Sequence, residues 1–248
     1  MMKILELNIK GFRSLKDVTW KPGDLNVLIG PNASGKSNLL RCLEFISASA
    51  EGKLGDYVKR AGGMEPLVWD GKADAISFFL ESSSLDKFRE SERNLTYQLE
   101  ISQLGFSNHK VNYELLGNFY KYKQGITEEP FKFIERSASF AVVFDENDKK
   151  LTPPANSYKE EESILSLATG LFLTNHHISL YRQELLKWHI YHDIHVNQDA
   201  EIRRPAVAKY EKTVNPDGQN LIPVLHTLYT GDRDFKKAVD AAMSTAFG

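Results

Sequence analysis

Cysteine is almost missing from this chain of 248 residues. Cys42 is the one thiol, so no disulfide can close within the chain, and a reducing compartment suits it. Long apolar runs are missing as well. The longest, Phe140 to Phe144, has five residues, where a helix needs about 20 to cross a bilayer. No membrane association is therefore expected. The N-terminal stretch MMKILELNIKGF is interrupted by Lys3, Glu6 and Lys10 and lacks the unbroken apolar core of a secretory signal, so the expected location is cytoplasmic. Charge of one sign is not in excess either. Thirty-one Lys and Arg against 33 Asp and Glu leave a formal net charge of −2. That balance does not mark a nucleic-acid or anionic-membrane binder in bulk, and leaves room only for a local patch. No internal repeat or low-complexity linker is visible. What remains is 42% hydrophobic and 26% charged residues, the composition of a globular protein with a real core. The length fits one large domain or two small ones.

Periodicity divides the chain into three parts. In residues 1–74, Leu5, Leu7 and Ile9 alternate with polar neighbours and predict a half-buried strand over 3–10. Lys21-Pro22-Gly23-Asp24 predicts a turn. Leu25 to Ile29 predicts a short strand buried on both faces. Leu39, Leu40, Leu43 and Ile46 then recur at helical spacing and predict a helix over 36–49. In residues 75–154 the period is two. Leu95, Tyr97, Leu99 and Ile101 share one face, and similar runs occur near 76–81, 111–116, 131–136 and 139–145. This predicts a β-rich subdomain of antiparallel meanders, closed by Pro153 and Pro154. Residues 155–248 read as a helical segment with one strand. Ile164, Leu165, Ala168, Leu171 and Phe172 form one stripe, and Tyr181, Leu185 and Trp188 another. Leu221, Leu225 and Leu228 follow a turn at 215–218, and Phe235, Val239, Ala242 and Ala246 mark a last helix.

One motif carries chemistry. Gly30-Pro31-Asn32-Ala33-Ser34-Gly35-Lys36-Ser37 fits G-x-x-x-x-G-K-[ST] at every fixed position. Backbone N–H groups must point inward to wrap a polyphosphate, and Gly30 and Gly35 permit the turns this requires. The helix that follows aims its positive end at the same anion. Lys36 supplies a full positive charge to the β- and γ-phosphates, and Ser37 offers its hydroxyl to Mg²⁺. Arg13, in Gly11-Phe12-Arg13-Ser14, is the other basic residue to note; from the residues alone it reads as evenly a solvated arginine in the turn after the first strand as a functional one.

A nucleotide hydrolase of this type also needs a strand ending in Asp, often followed by Glu. Phe140 to Glu146 has that composition, but Asn147-Asp148-Lys149-Lys150 continues it as a hairpin tip inside the β-rich part. Asn215-Pro216-Asp217-Gly218-Gln219-Asn220 has no serine, and Asp217 or Asn220 reads as a helix N-cap. His189, His192 and His195 stand three apart, a spacing that converges on one face of neither a helix nor a strand; no metal site is expected from them. Arg203, Arg204, Lys209 and Lys212 are diluted by Glu201 and Glu211 and read as solvated surface, with a nucleic-acid contact as the rival reading. Cys42 reads as a small packing residue.

Three stretches resemble the N-terminal part of RecF/SMC-like ATPases of the ABC superclass, and within them the AAA-labelled ATPases close to RecF. They are LNIKGFRSLKDVTW with LNVLIGPNASGKSNLLRCLEFI, then GGMEPLVWDGK, and then the segment from Trp188 to Leu228. The resemblance implies an α/β P-loop NTPase head with an antiparallel β-subdomain inserted after the first helix. It implies ATP and Mg²⁺ held at Gly30 and at Asn32, Ala33, Ser34, Gly35, Lys36, Ser37 and Asn38. It places Arg13 near the phosphates and Lys36 in the catalytic role. It implies heads that pair as a homodimer, and DNA as a further partner of the intact protein in repair or phage defence. Members continue into a signature helix, an Asp-Glu (Walker B) strand and a switch histidine. None follows here before Gly248, so the resemblance implies a truncated or split ATPase, inactive by itself. Ala33 stands where the family commonly has glycine.

Overall fold

The computed structural model describes residues 2–85, 93–105, 108–120, 131–145, 149–152, 158–167, 175–191, 194–207 and 209–247. The chain forms two compact units, Met1–Trp188 and His189–Gly248. The first is built on one eight-stranded sheet, and every pairing in it is antiparallel. Its strands are β1 (Ile4–Phe12), β2 (Leu15–Trp20), β3 (Ala75–Ser82), β4 (Arg93–Leu104), β5 (Asn108–Tyr120), β6 (Phe131–Arg136), β7 (Ala141–Phe144) and β8 (Lys150–Leu151), in the order β2-β1-β3-β4-β5-β6-β7-β8. Apart from the first exchange of place, neighbours in sequence are neighbours in space. The first two strands thus share a sheet with the β-rich residues 75–151.

The alternating pattern becomes one covered face. Ile76, Phe78, Leu80 and Ser82 of β3 are buried, as are Leu95, Tyr97, Leu99 and Ile101 of β4. Among the described residues, three α-helices complete this unit: α1 (Lys36–Glu51), α2 (Leu54–Arg60) and α3 (His176–Leu186). Phe45 of α1 packs its ring against Phe12 of β1 at 5.8 Å and Phe78 of β3 at 5.5 Å, with Tyr57 of α2 at 5.0 Å. Tyr181 of α3 lies 5.8 Å from Tyr97. Cys42 is buried in the same core, and that burial pushes its thiol pKa up. Helix α1 ends at Gly52 (φ 80°), where the Lys53 N–H returns to Ala48 O at 3.0 Å and the Gly52 N–H to Ser49 O at 3.4 Å; glycine adopts this left-handed closure without strain. Other elements then bind the end of the helix: Ser163 Oγ donates to Ser49 O at 2.6 Å and Arg182 Nε to Ala50 O at 2.8 Å.

One expectation fails here, and a second finds no counterpart among the described residues. Leu25 to Ile29 is not a strand buried on both faces. The segment has no regular structure, and Leu25, Val27 and Ile29 are 86%, 74% and 91% exposed. A strand exists only through hydrogen bonds to neighbours, and among the described residues none pairs with this one. Residues 155–248 contain no strand among those described. Instead a 3₁₀ turn lies at Leu165–Leu167, and the second unit contains α4 (Leu221–Gly231) and α5 (Arg233–Phe247). Ala168, Leu171, Phe172, Pro153 and Pro154 lie outside the described residues. Asn220 does stand at the N-cap of α4, but its side chain does not cap the helix. It donates to Thr213 O at 3.0 Å and to Glu211 Oε2, while Asp217 accepts from the Gln219 N–H at 3.1 Å.

Candidate functional site

Residues 30–38 form a loop that runs into α1. Ser34 N–H turns back to Pro31 O at 3.3 Å. Ala33 takes φ 64° and Gly35 φ 94°, so both stand in the left-handed region. Glycine accepts that conformation freely; an alanine there costs about 1–2 kcal/mol. The first turn of α1 has no acidic residue and its N-cap, Gly35, makes no side-chain cap. The helix therefore presents its partial positive end with no carboxylate of its own to neutralise it. The Lys36 side chain folds back over the loop. Its ammonium donates to Gly30 O at 2.8 Å and Pro31 O at 2.7 Å and lies 3.4 Å from Ser34 Oγ. Gly30, Asn32, Ala33, Ser34 and Ser37 are exposed.

A second element meets this loop. Strands β1 and β2 are joined by a two-residue tip, Arg13-Ser14, with Phe12 paired to Leu15. Arg13 has φ 49°, and its N–H donates to Leu67 O at 2.8 Å, next to an isolated bridge between Phe12 and Val68. Ser14 Oγ accepts from Asn38 Nδ2 at 2.7 Å. A Cβ on Gly35 would stand 3.0 Å from Ser14 Oγ and 3.2 Å from Leu15 Cδ2, so the loop's last glycine is pressed against the tip. The Arg13 guanidinium lies 5.9 Å from the Phe12 ring centroid, and its Nε is buried without a hydrogen-bond partner. An orphan donor of this kind costs about 1–3 kcal/mol until something accepts from it. Nearby Tyr57 has its phenol pushed up to about 12, mainly by burial and then by Glu44, while Arg13 and Arg41 pull it back.

The fold therefore brings the Arg13-Ser14 tip against the loop Gly30–Asn38 at the start of α1. It also shows two contributors that the motif does not contain, Ser14 and the Leu67 carbonyl. Leu67 belongs to the GGMEPLVWDGK stretch, whose Met64, Leu67 and Val68 are buried.

The other candidates lie elsewhere. Asp145 stands at the β7–β8 hairpin, where its N–H donates to Lys149 O at 3.0 Å and its carboxylate accepts from the Lys149 N–H at 2.8 Å. These bonds lie at the base of the antiparallel β7–β8 pair, as a hairpin reading expects, at the opposite edge of the sheet from β1 and β2; residues 146–148, Glu146 included, lie outside the described residues. In the second unit, His189 stacks on Tyr191 and His195 O accepts from Gln219 Nε2 at 3.0 Å, while His192 is not among the described residues. Among those residues, no group of three His, Cys, Asp or Glu is placed to share a metal ion. Arg203 Nε donates to Val196 O at 2.9 Å. Arg204 and Lys209 border an open cavity of about 440 Å³ together with Glu201, Glu211 and Asp217, which is a surface of mixed charge rather than a basic patch.

Residues 25–205 match the family model described as "AAA domain, putative AbiEii toxin, Type IV TA system". The chain belongs to this family. It is also similar to the DNA replication and repair protein RecF of Moorella thermoacetica (strain ATCC 39073 / JCM 9320), with 29% identity over 121 residues. That alignment covers 48% of this chain and 30% of that protein, so the chain spans about a third of the relative it matches. The AAA domain has α/β composition, and its sheet is antiparallel. No described helix is long and apolar enough to cross a membrane.

Proposed function

We propose that this AAA domain binds ATP with Mg²⁺ at the loop Gly30–Asn38 and belongs to an ATP hydrolase. The observation that carries the reading is the loop itself: two left-handed residues, an uncapped helix start and the Lys36 ammonium stand together within residues 30–37. The residues fit the group. Backbone N–H groups of Asn32, Ala33, Ser34 and Gly35 would wrap the phosphates. Lys36 would exchange its two carbonyl acceptors for phosphate oxygens, a stronger charge-assisted contact. The Ser37 hydroxyl would ligate the metal, and the orphaned Arg13 Nε gives that arginine a reason to face an anion. Bound Mg²⁺ would neutralise charge on the β- and γ-phosphate oxygens. The intact protein, on this reading, pairs two such heads around nucleotide and works on DNA in repair or in phage defence. The RecF similarity supports the DNA role.

The hairpin setting of Asp145 favours a second reading of these 248 residues taken alone: they hold nucleotide without turning it over. Titration with a fluorescent ATP analogue in Mg²⁺ tests the binding. Wild type is expected to bind, and Lys36→Ala to bind at least about tenfold more weakly, since a charge-assisted contact is worth roughly 1.5–3 kcal/mol. Equal binding by the two proteins, or none by wild type, removes the proposal. Single-turnover assays separate the readings, because hydrolysis abolished by Asp145→Asn would return that residue to the catalytic role.

A further inference from the structure

Three tethers hold the β1–β2 tip. Phe12 pairs with Leu15 across it, the Arg13 N–H is fixed to Leu67 O at 2.8 Å, and Ser14 Oγ accepts from Asn38 Nδ2 at 2.7 Å. The first two bind the tip to the sheet and to the segment after α2. The third binds it to the phosphate loop. Asn38 stands one residue beyond Ser37 in the first turn of α1, and its amide has a defined orientation. Nδ2 meets Ser14, and Oδ1 faces Arg41 Nη1 at 3.5 Å; a donor on one side and an acceptor on the other fix which way an amide points. Gly35 closes the same joint from the apolar side. A side chain there would crowd Ser14 Oγ and Leu15 Cδ2, and φ 94° disfavours one in any case.

We propose that Ser14 is a positioning residue of the nucleotide site: its hydroxyl clasps Asn38 and so sets the distance between the Arg13 guanidinium and the start of α1. This rests on the nucleotide reading above. Arg13 is a non-glycine residue at φ 49° on a two-residue tip, and its own backbone bond ties it to Leu67 and not to the loop. With Ser14 held, the Arg13 side chain leaves the tip at one place relative to Lys36 and Ser37. Without the clasp the tip keeps its tie to Leu67 but loses its registration on the loop. Ser14 then contributes to binding only through Arg13, and the two residues must be coupled. Neighbours that act as a unit give non-additive effects, whereas independent supports add.

The experiment is a double-mutant cycle on the full chain, with the affinity for a fluorescent ATP analogue in Mg²⁺ as readout and the thermal midpoint recorded for each protein. Ser14→Ala is expected to weaken binding about fivefold in the wild-type background and less than about twofold in the Arg13→Ala background. Ser14→Thr, which keeps the hydroxyl, is expected to bind like wild type. Ser14 is exposed, so the midpoint should move little. Equal losses in both backgrounds, no loss from Ser14→Ala, or failure of Ser14→Thr to restore binding would each overturn the clasp while leaving the nucleotide site standing. Wild type that binds no nucleotide removes both.

Discussion

Glu114 of β5 is fully buried, and three donors converge on its carboxylate. Ile164 N–H lies at 2.6 Å, Leu165 N–H at 2.9 Å and the Tyr97 hydroxyl at 3.2 Å. Burial raises its pKa above the ordinary carboxylate range, and the two backbone N–H groups, Arg136 and Tyr97 recover only part of that rise. A carboxyl whose folded pKa lies above its unfolded one holds its proton more tightly when folded. Its contribution to stability is complete below the unfolded value, near 4.3, and is lost as pH rises through the folded value. Glu114→Gln cannot titrate and offers one acceptor oxygen to three donors. The variant is expected to be less stable than wild type by about 1–3 kcal/mol at low pH, with the gap narrowing as pH rises. Urea unfolding of both proteins at a series of pH values measures it; a gap that widens with pH would mean that the carboxyl is depressed, not raised. The same side chain fixes the segment 163–167 against the sheet, and Ser163 passes that order on to the last turn of α1.

At the scale of elements, α1 and the strands of the meander are legible because their signals are local. Leu95, Tyr97, Leu99 and Ile101 alternate in the sequence and are all buried in β4. Residues 145–149 have turn composition after an apolar run, and the strands on either side pair, with Asp145 hydrogen-bonded to Lys149. The motif at residues 30–37 is equally plain, since its glycines, lysine and serine are fixed by spacing within eight residues. Contacts between distant segments leave no such trace. Nothing in the composition of GGMEPLVWDGK says that Leu67 O receives the Arg13 N–H, or that Ser14 meets Asn38. The segment Leu25 to Ile29 shows the other limit: its apolar residues suit a buried strand, but burial depends on what lies alongside. This sets an expectation. Ile29→Thr should change the stability of the chain by less than about 0.5 kcal/mol, as an exposed substitution does, whereas Leu7→Ala in β1 should cost about 2–5 kcal/mol. Denaturant midpoints compare the two. A large loss from Ile29→Thr would show that the segment is covered in solution. Exposed apolar side chains grouped on a surface also favour association, so the same variant should scatter less light at high concentration.

The two units differ in what they bury. Met1–Trp188 contains the eight-stranded sheet, three helices and nearly all of the buried apolar side chains, among them Leu7, Phe12, Phe45, Leu80, Tyr97 and Tyr181. In His189–Gly248 the described apolar residues that are fully covered include Ala200 and Val224, while Tyr210 and Phe247 are 79% and 80% exposed. Helix α5 has no buried residue, although Phe235 and Val239 are half-buried. Folding must offset a conformational entropy of about 1–2 kcal/mol per residue. A segment of about 60 residues with so small a core falls below what single domains of that size normally need. The first unit does not face this shortfall, and it contains the whole loop Gly30–Asn38, the Arg13-Ser14 tip and Leu67. Residues 1–188 expressed alone should therefore unfold in one sharp urea transition and bind the fluorescent ATP analogue with an affinity within about threefold of the full chain, a change under 1 kcal/mol. Residues 189–248 alone should show helical circular dichroism that melts gradually, without the cooperative transition of a two-state domain. If the shorter piece melts sharply, its core suffices after all; if the longer one loses both its transition and its ligand, the stability of the proposed nucleotide site depends on the second unit.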